Sequence, residues 1–184
     1  MSVIVHISGS SGSGKTTLGI LLQKKFGKNV YVCDTDSFIQ YYTQSGKKLS
    51  KIKDKKIYIR TWKTIIRNSI NKIVERHPQK IIILTGLLNN FAWDKIPAEI
   101  HLHAHKFFLD VSAVELIKRY YLRVCKTGHN APKIYWNCLA NDKCYVMSSQ
   151  QIIKNMKYDR DWHIKHGYKL ATDKHIIQFI ESLR

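Results

Sequence analysis

The stretch Gly9-Ser10-Ser11-Gly12-Ser13-Gly14-Lys15-Thr16 constrains this chain more than any other, because it fits G-x-x-x-x-G-K-[ST] and its neighbours fit too. Before it, Val3 to Ser8 (VIVHIS) is apolar and rich in β-branched residues, as a buried parallel strand requires. After it, Thr17 to Phe26 (TLGILLQKKF) reads as a helix. Strand, glycine turn and helix are the parts of a phosphate cradle, in which backbone N–H groups converge on anionic oxygens at a helix N-terminus. Gly9, Ser11, Gly12, Ser13, Gly14, Lys15, Thr16 and Thr17 are the residues expected to line it. Lys15 is expected to reach the β- and γ-phosphates of a nucleoside triphosphate, and the Thr16 hydroxyl to bind Mg²⁺.

Downstream, apolar runs alternate with helical patterns, the βαβ signature of a parallel sheet. Val30 to Cys33 predicts a second strand ending at Asp34, and Ser37 to Gln44 a helix. Lys47 to Lys56 is a lysine-dense connection. Tyr58 to Arg76 predicts a long helix with apolar Ile65, Ile66, Ile70, Ile73 and Val74. Strands are expected at Lys80 to Leu84, His105 to Asp110 and Tyr168 to Ala171, with helices at Val114 to Cys125, Ser149 to His166 and Asp173 to Leu183. Thr172 or Asp173 would cap the last helix. Thr127 to Ser148 is the least regular part.

A length of 184 residues predicts one domain with a sizeable core. No run of eighteen apolar residues occurs and the chain enters a strand at once, so neither a membrane span nor a signal peptide is expected, and a cytoplasmic setting is. Cys33, Cys125, Cys138 and Cys144 form no C-x-x-C pair and read as free thiols in a reducing compartment, Cys33 buried within its strand. Thirty-one Lys and Arg against thirteen Asp and Glu give a net charge of +18. Such a field draws nucleotides or nucleic acid, although lysine- and isoleucine-rich usage from an AT-rich genome accounts for it as well.

Five predicted strands with the phosphate loop after the first resemble the nucleoside monophosphate kinase superfamily, which includes adenylate, shikimate, gluconate and uridine kinases. Asp34-Thr35-Asp36-Ser37-Phe38 is similar to the D-x-D of gluconate and shikimate kinases and the D-S-F of uridine kinases. Phe108-Leu109-Asp110-Val111, followed by Arg119 and Arg123, resembles the adenylate kinase segment that leads into the lid. Gly167 to Ala171 resembles the superfamily's C-terminal strand and the loop near adenine. The resemblance implies a three-layer αβα P-loop fold with a five-stranded parallel sheet over residues 1–184. It also implies an acceptor-binding helical region at 36–78 and a lid at 124–148. ATP and Mg²⁺ are the implied cofactors, and the implied activity is transfer of a phosphoryl group to a small acceptor.

Phosphoryl transfer needs positive charge around the moving group and an acceptor held in line. Lys15, Mg²⁺, Arg119 and Arg123 are the sources of that charge; the two arginines, four apart, share one helical face. By resemblance Arg119 would lie against adenine and phosphates and Arg123 would reach the phosphates; solvated arginines on an exposed helix are the alternative. Asp34 is expected to hold Mg²⁺ with Thr16, and Asp36 to orient the acceptor's hydroxyl or take its proton. Asp36 would also serve as a helix cap. Arg60, with Arg67 two turns along, would grip an acceptor's phosphate or carboxylate. Arg160 stands between Asp159 and Asp161 and is either a third phosphate-reaching arginine or paired with those acids.

The sequence departs from adenylate kinases at Leu84-Thr85-Gly86, which keeps a glycine and lacks the Walker B acid. Metal anchoring then falls on Thr16 and Asp34, and the acceptor shifts towards a nucleoside or other small molecule. His101, His103 and His105 alternate and read as an edge or surface strand rather than a metal site. The reading is a P-loop kinase acting on a nucleoside, nucleoside monophosphate or other small acceptor. A polynucleotide 5′-hydroxyl kinase and a non-catalytic, nucleotide-gated nucleic-acid-binding protein are the alternatives.

Overall fold

Strand β1 (Val3–Ser8) lies at the centre of a parallel sheet, paired with β3 (Ile81–Thr85) on one side and β4 (His105–Leu109) on the other. The outer strands are β2 (Val30–Asp34), beside β3, and β5 (Lys169–Ala171), beside β4, giving the order β2-β3-β1-β4-β5. The computed structural model describes residues 2–35, 37–38, 52–86, 104–127 and 147–184, with backbone alone at 55, 59 and 123–127. Its helices are α1 (Lys15–Phe26), α2 (Lys55–Arg76), α3 (Ala113–Thr127), α4 (Ser149–Lys165) and α5 (Asp173–Ser182).

Strand alternation builds the three layers. Val5 and Ile7 of β1 pack with Leu18 and Leu22 of α1 and Ile176 and Ile180 of α5. On the other face Ile82 and Leu84 of β3 pack with Trp62, Ile66 and Ile70 of α2. Leu116, Tyr120 and Ile152 join α3 to α4. Each buried aliphatic side chain contributes about 1.5–3 kcal/mol relative to exposure, so this patterning fixes which face each helix covers. Among the described residues no helix is long and apolar enough to cross a membrane.

Side-chain caps set the helix starts. Asp54 accepts from the Ile57 amide at 2.9 Å, which starts α2 ahead of the Tyr58 expected from periodicity. Ser148 caps α4, and Thr172 caps α5. The edge placement expected for the histidine run is corrected by His105, which opens the interior strand β4; it is exposed because it stands at the strand's first position. Cys33 is half-buried rather than fully enclosed, and burial pushes its thiol pKa up. His101, His103, Cys138, Cys144, most of the 37–44 helix, half of the Lys47–Lys56 connection, and residues 128–146 of the expected lid lie outside the described residues.

Candidate active site

At the C-terminal end of the central strand the chain turns through the glycine loop into α1, where open α/β sheets bind ligands. Gly14 stands at the N-cap of α1 with φ 101° and ψ 13°, a left-handed conformation that a side chain resists. A Cβ there would also press on Arg119 Nη1, at 3.1 Å. This turn points the first amides of α1 out of the loop, with the positive end of the helix dipole behind them.

Lys15 curls over the loop and donates from Nζ to the Gly9 carbonyl at 2.7 Å and the Ser10 carbonyl at 2.9 Å. Thr16 is exposed one residue on, and its hydroxyl donates to Asp34 Oδ2 at 3.2 Å. Asp34 reaches it because β2 ends level with β3: Asp34 pairs in register with Thr85, the position that lacks an acid. Two hard oxygen donors from two elements therefore meet beside the loop, a donor set that suits Mg²⁺. The β3 exit turn is tight against them. Gly86 has φ 131°, and a Cβ on it would collide with the Thr35 hydroxyl. The Thr35 amide donates to the Thr85 carbonyl at 2.8 Å, tying the end of β2 to that turn.

From the other side α3 delivers Arg119. Its Nη1 donates to the Ser13 carbonyl at 2.7 Å, while Glu115, one turn earlier, accepts from its Nε at 2.7 Å. The structure thus brings Arg119 onto the loop and fixes its plane from both ends. Arg123 follows one turn later on α3, with its side chain outside the described residues, as is Asp36. Arg60 and Arg67 are exposed on α2, and among the described residues neither guanidinium meets the loop. Arg160 pairs with neither flanking acid as its structural alternative supposed. Its Nη2 lies 3.6 Å from Asp110 Oδ2, at the end of β4.

A buried polar layer behind the loop escaped the sequence reading. His6 and Ser8, both fully buried, alternate on the face of β1 opposite α1 and α5. Ser8 Oγ donates to His163 Nε2 at 2.7 Å, because His163 Nδ1–H donates to the Asp159 carbonyl at 2.6 Å. His6 Nε2–H donates to the Gly86 carbonyl at 3.0 Å, which leaves Nδ1 to accept from the Tyr168 hydroxyl at 2.7 Å. The His163 and Tyr168 rings meet edge-on at 4.7 Å, joining the two chains of bonds into one layer.

Burial governs the titration of that layer. It holds His163 down to about 4, and the Lys15 charge adds to this. It raises the Tyr168 phenol well above its ordinary value. It also lifts Asp159 to about 6, against the opposing pull of the Ser10 hydroxyl and Lys15. The signal available in sequence was the alternation of His6 with Ser8 and the one-turn spacing of Asp159 and His163. Neither reveals its partner, which lies 155 residues away in the case of Ser8 and His163.

No protein-family model matches the sequence, and no curated protein matches it. Similarity is found in solved structures. The shikimate kinase of Bacteroides thetaiotaomicron superposes with a TM-score of 0.57 at 17% identity, over 98% of this chain and 97% of its own. The shikimate kinase of Acinetobacter baumannii, solved in complex with shikimate, gives 0.56 at 18% identity, over 100% and 93%. The Pnkp1/Rnl/Hen1 RNA repair complex contains a chain that matches at 0.52 and 13% identity, over 91% of this chain and 47% of that one. Strand order, the loop at the mouth of β1 and these superpositions together give the chain the αβα fold of the P-loop, nucleoside monophosphate kinase-like proteins.

Proposed function

We propose that this chain is an ATP- and Mg²⁺-dependent phosphotransferase that moves the γ-phosphoryl group to a nucleoside, a nucleoside monophosphate or another small acceptor. The observation that carries the reading is the convergence of Lys15, the Thr16–Asp34 pair and Arg119 on one loop. The loop amides and Lys15 bind the β- and γ-phosphates, and Lys15 already lies over the loop mouth. Thr16 and Asp34 would hold Mg²⁺, which when bound neutralises charge on the phosphate oxygens. Arg119 adds positive charge from the α3 side, and Arg123 follows it. Asp36 orients the acceptor hydroxyl and takes its proton as the new P–O bond forms and the β,γ-bridging P–O bond breaks, releasing ADP. Arg60 grips an anionic group of the acceptor, residues 36–78 flank it, and 124–148 close over the nucleotide.

A polynucleotide 5′-hydroxyl acceptor is the second reading, favoured by the net charge of +18. ADP release with a panel of nucleosides, monophosphates, small hydroxylated acids, sugars and 5′-hydroxyl oligonucleotides separates the two. Turnover lost in both Lys15→Ala and Asp36→Asn is expected. Unchanged turnover in both variants sinks the kinase reading, and salt-sensitive oligonucleotide binding without turnover favours a non-catalytic nucleic-acid-binding protein.

A further inference from the structure

Ser8 and His163 fix how α4 lies against the sheet, and the register has a consequence one turn away. From His163, which meets Ser8, a step of four residues towards the start of α4 moves about 5.4 Å along the helix axis. That step ends at Asp159, while on the facing strand the chain runs on from Ser8 into Ser10 of the phosphate loop. Asp159 is 2% exposed, its Oδ1 has no hydrogen-bond partner among the described residues, and the buried Ser10 hydroxyl acts on it. Lys15 is bonded to the carbonyl of that same Ser10 at 2.9 Å. A carboxylate is thus buried directly behind the loop that is built to hold phosphate.

We propose that Asp159 is a positioning residue of the phosphate loop, a buried carboxylate on α4 that acts through Ser10 and Lys15 to set how tightly the triphosphate is held. This rests on the reading of the loop as an ATP site. When ionised, Asp159 attracts the Lys15 ammonium and repels the phosphates that seek the same cation. When neutral, it no longer competes with the phosphates for Lys15 and retains a proton to donate. At an effective dielectric constant of about 20, such charges interact strongly enough across one buried layer to change affinity measurably. Other charged or titratable groups stand around it. Arg160 beside it on α4 is paired with Asp110. His163 is held to about 4 and Tyr168 is raised by burial. Both nitrogens of His6 on β1 are in hydrogen bonds.

The sign follows from linkage. Bound phosphate raises the Asp159 pKa above its value of about 6, so nucleotide binds more tightly to the protonated form and weakens as pH rises. A rise of about one unit makes binding about tenfold weaker above both values than below them. The test is a fluorescent ATP analogue titrated with Mg²⁺ against the wild-type chain, Asp159→Asn and Ser8→Ala between about pH 5 and pH 8. Asp159→Asn is expected to bind about as tightly as wild type at the acid end and about tenfold more tightly at the alkaline end. Ser8→Ala cuts the same buried layer without altering charge; it should lower Tm and keep the wild-type pH profile. The wild-type chain gives a second reading by calorimetry, because binding near pH 6.5 must take up protons, seen as a heat that varies with the buffer's ionisation enthalpy.

An Asp159→Asn profile parallel to wild type, or binding without proton uptake, overturns the proposal while leaving the ATP site intact. Nucleotide binding absent from wild type, or unchanged in Lys15→Ala, overturns the ATP-site reading and this proposal together.

Discussion

The Thr16 hydroxyl donates to Asp34 Oδ2 at 3.2 Å, joining the first turn of α1 to the last residue of β2 across eighteen positions of sequence. On the proposed reading Asp34 takes the metal-anchoring place of the acid missing after Leu84, and it stands in register with Thr85. Asp34→Asn keeps an oxygen acceptor for Thr16 and removes the charge. The Mg²⁺ concentration giving half-maximal nucleotide binding should rise about 10- to 100-fold, the usual effect of altering a metal site's supporting groups. Because the bond is exposed, unfolding should change by no more than about 0.5 kcal/mol. A Mg²⁺ titration identical to wild type contradicts the assignment.

Arg119 is held by Ser13 and Glu115 at 2.7 Å each, so its guanidinium is aligned by contacts already formed. Arg119→Ala should lower kcat by about a hundredfold, the scale for losing one donor aimed at developing charge. Arg119→Lys should recover only part of this, because an ammonium cannot span the Glu115 carboxylate and the Ser13 carbonyl at once. Glu115→Gln should cost far less, since the pair is half exposed. Equal kcat in wild type and Arg119→Ala would remove Arg119 from the reaction.

The parts legible in sequence were those encoded by local repetition. β-branched runs gave β1, β2 and β3, short apolar runs gave β4 and β5, and the apolar spacing of Ile66, Ile70 and Val74 gave the buried face of α2. Asp34 was legible because a carboxylate ending a parallel strand beside a glycine loop has few structural reasons to be there. Arg119 was marked by the resemblance of the segment from Asp110 onward to that of adenylate kinases. The Arg160 partner was misplaced because the nearest acids in sequence point elsewhere once Arg160 lies against the end of β4. The buried layer was invisible for the same physical reason. A histidine at position 6 of an apolar strand costs several kcal/mol unless partnered, and its partners Gly86 and Tyr168 are fixed only by the sheet order.

That layer should be costly to cut. Ser8→Ala removes the donor to His163 Nε2 and should destabilise by about 1–3 kcal/mol. For a chain of this size each kcal/mol corresponds to about 2–4 °C in Tm. Tyr168→Phe takes the hydroxyl from His6 Nδ1 and should have an effect of similar size. Thermal unfolding of the two variants checks both, and losses below about 0.5 kcal/mol would mean that the layer is not held as described.

Asp159 and His163 give the fold a compensated response to acid. His163 falls from 6.5 unfolded to about 4 folded, so its stability contribution is complete above 6.5 and is lost as pH drops towards 4. Asp159 rises from 3.8 unfolded to about 6 folded, so its contribution is complete below 3.8 and is lost as pH climbs through 6. In the window where the two overlap, the slopes are opposite, each up to about 1.4 kcal/mol per pH unit. Their sum is nearly flat in the wild-type chain. Asp159→Asn leaves the histidine slope alone, so the variant should gain stability relative to wild type near neutrality and lose that gain on acidification. His163→Gln leaves the carboxyl slope and should behave in the opposite sense. Urea unfolding of the three proteins at several pH values reads this as differences from wild type, in which the remaining carboxylates cancel. Parallel stability curves for all three would show that neither group changes its proton affinity on folding.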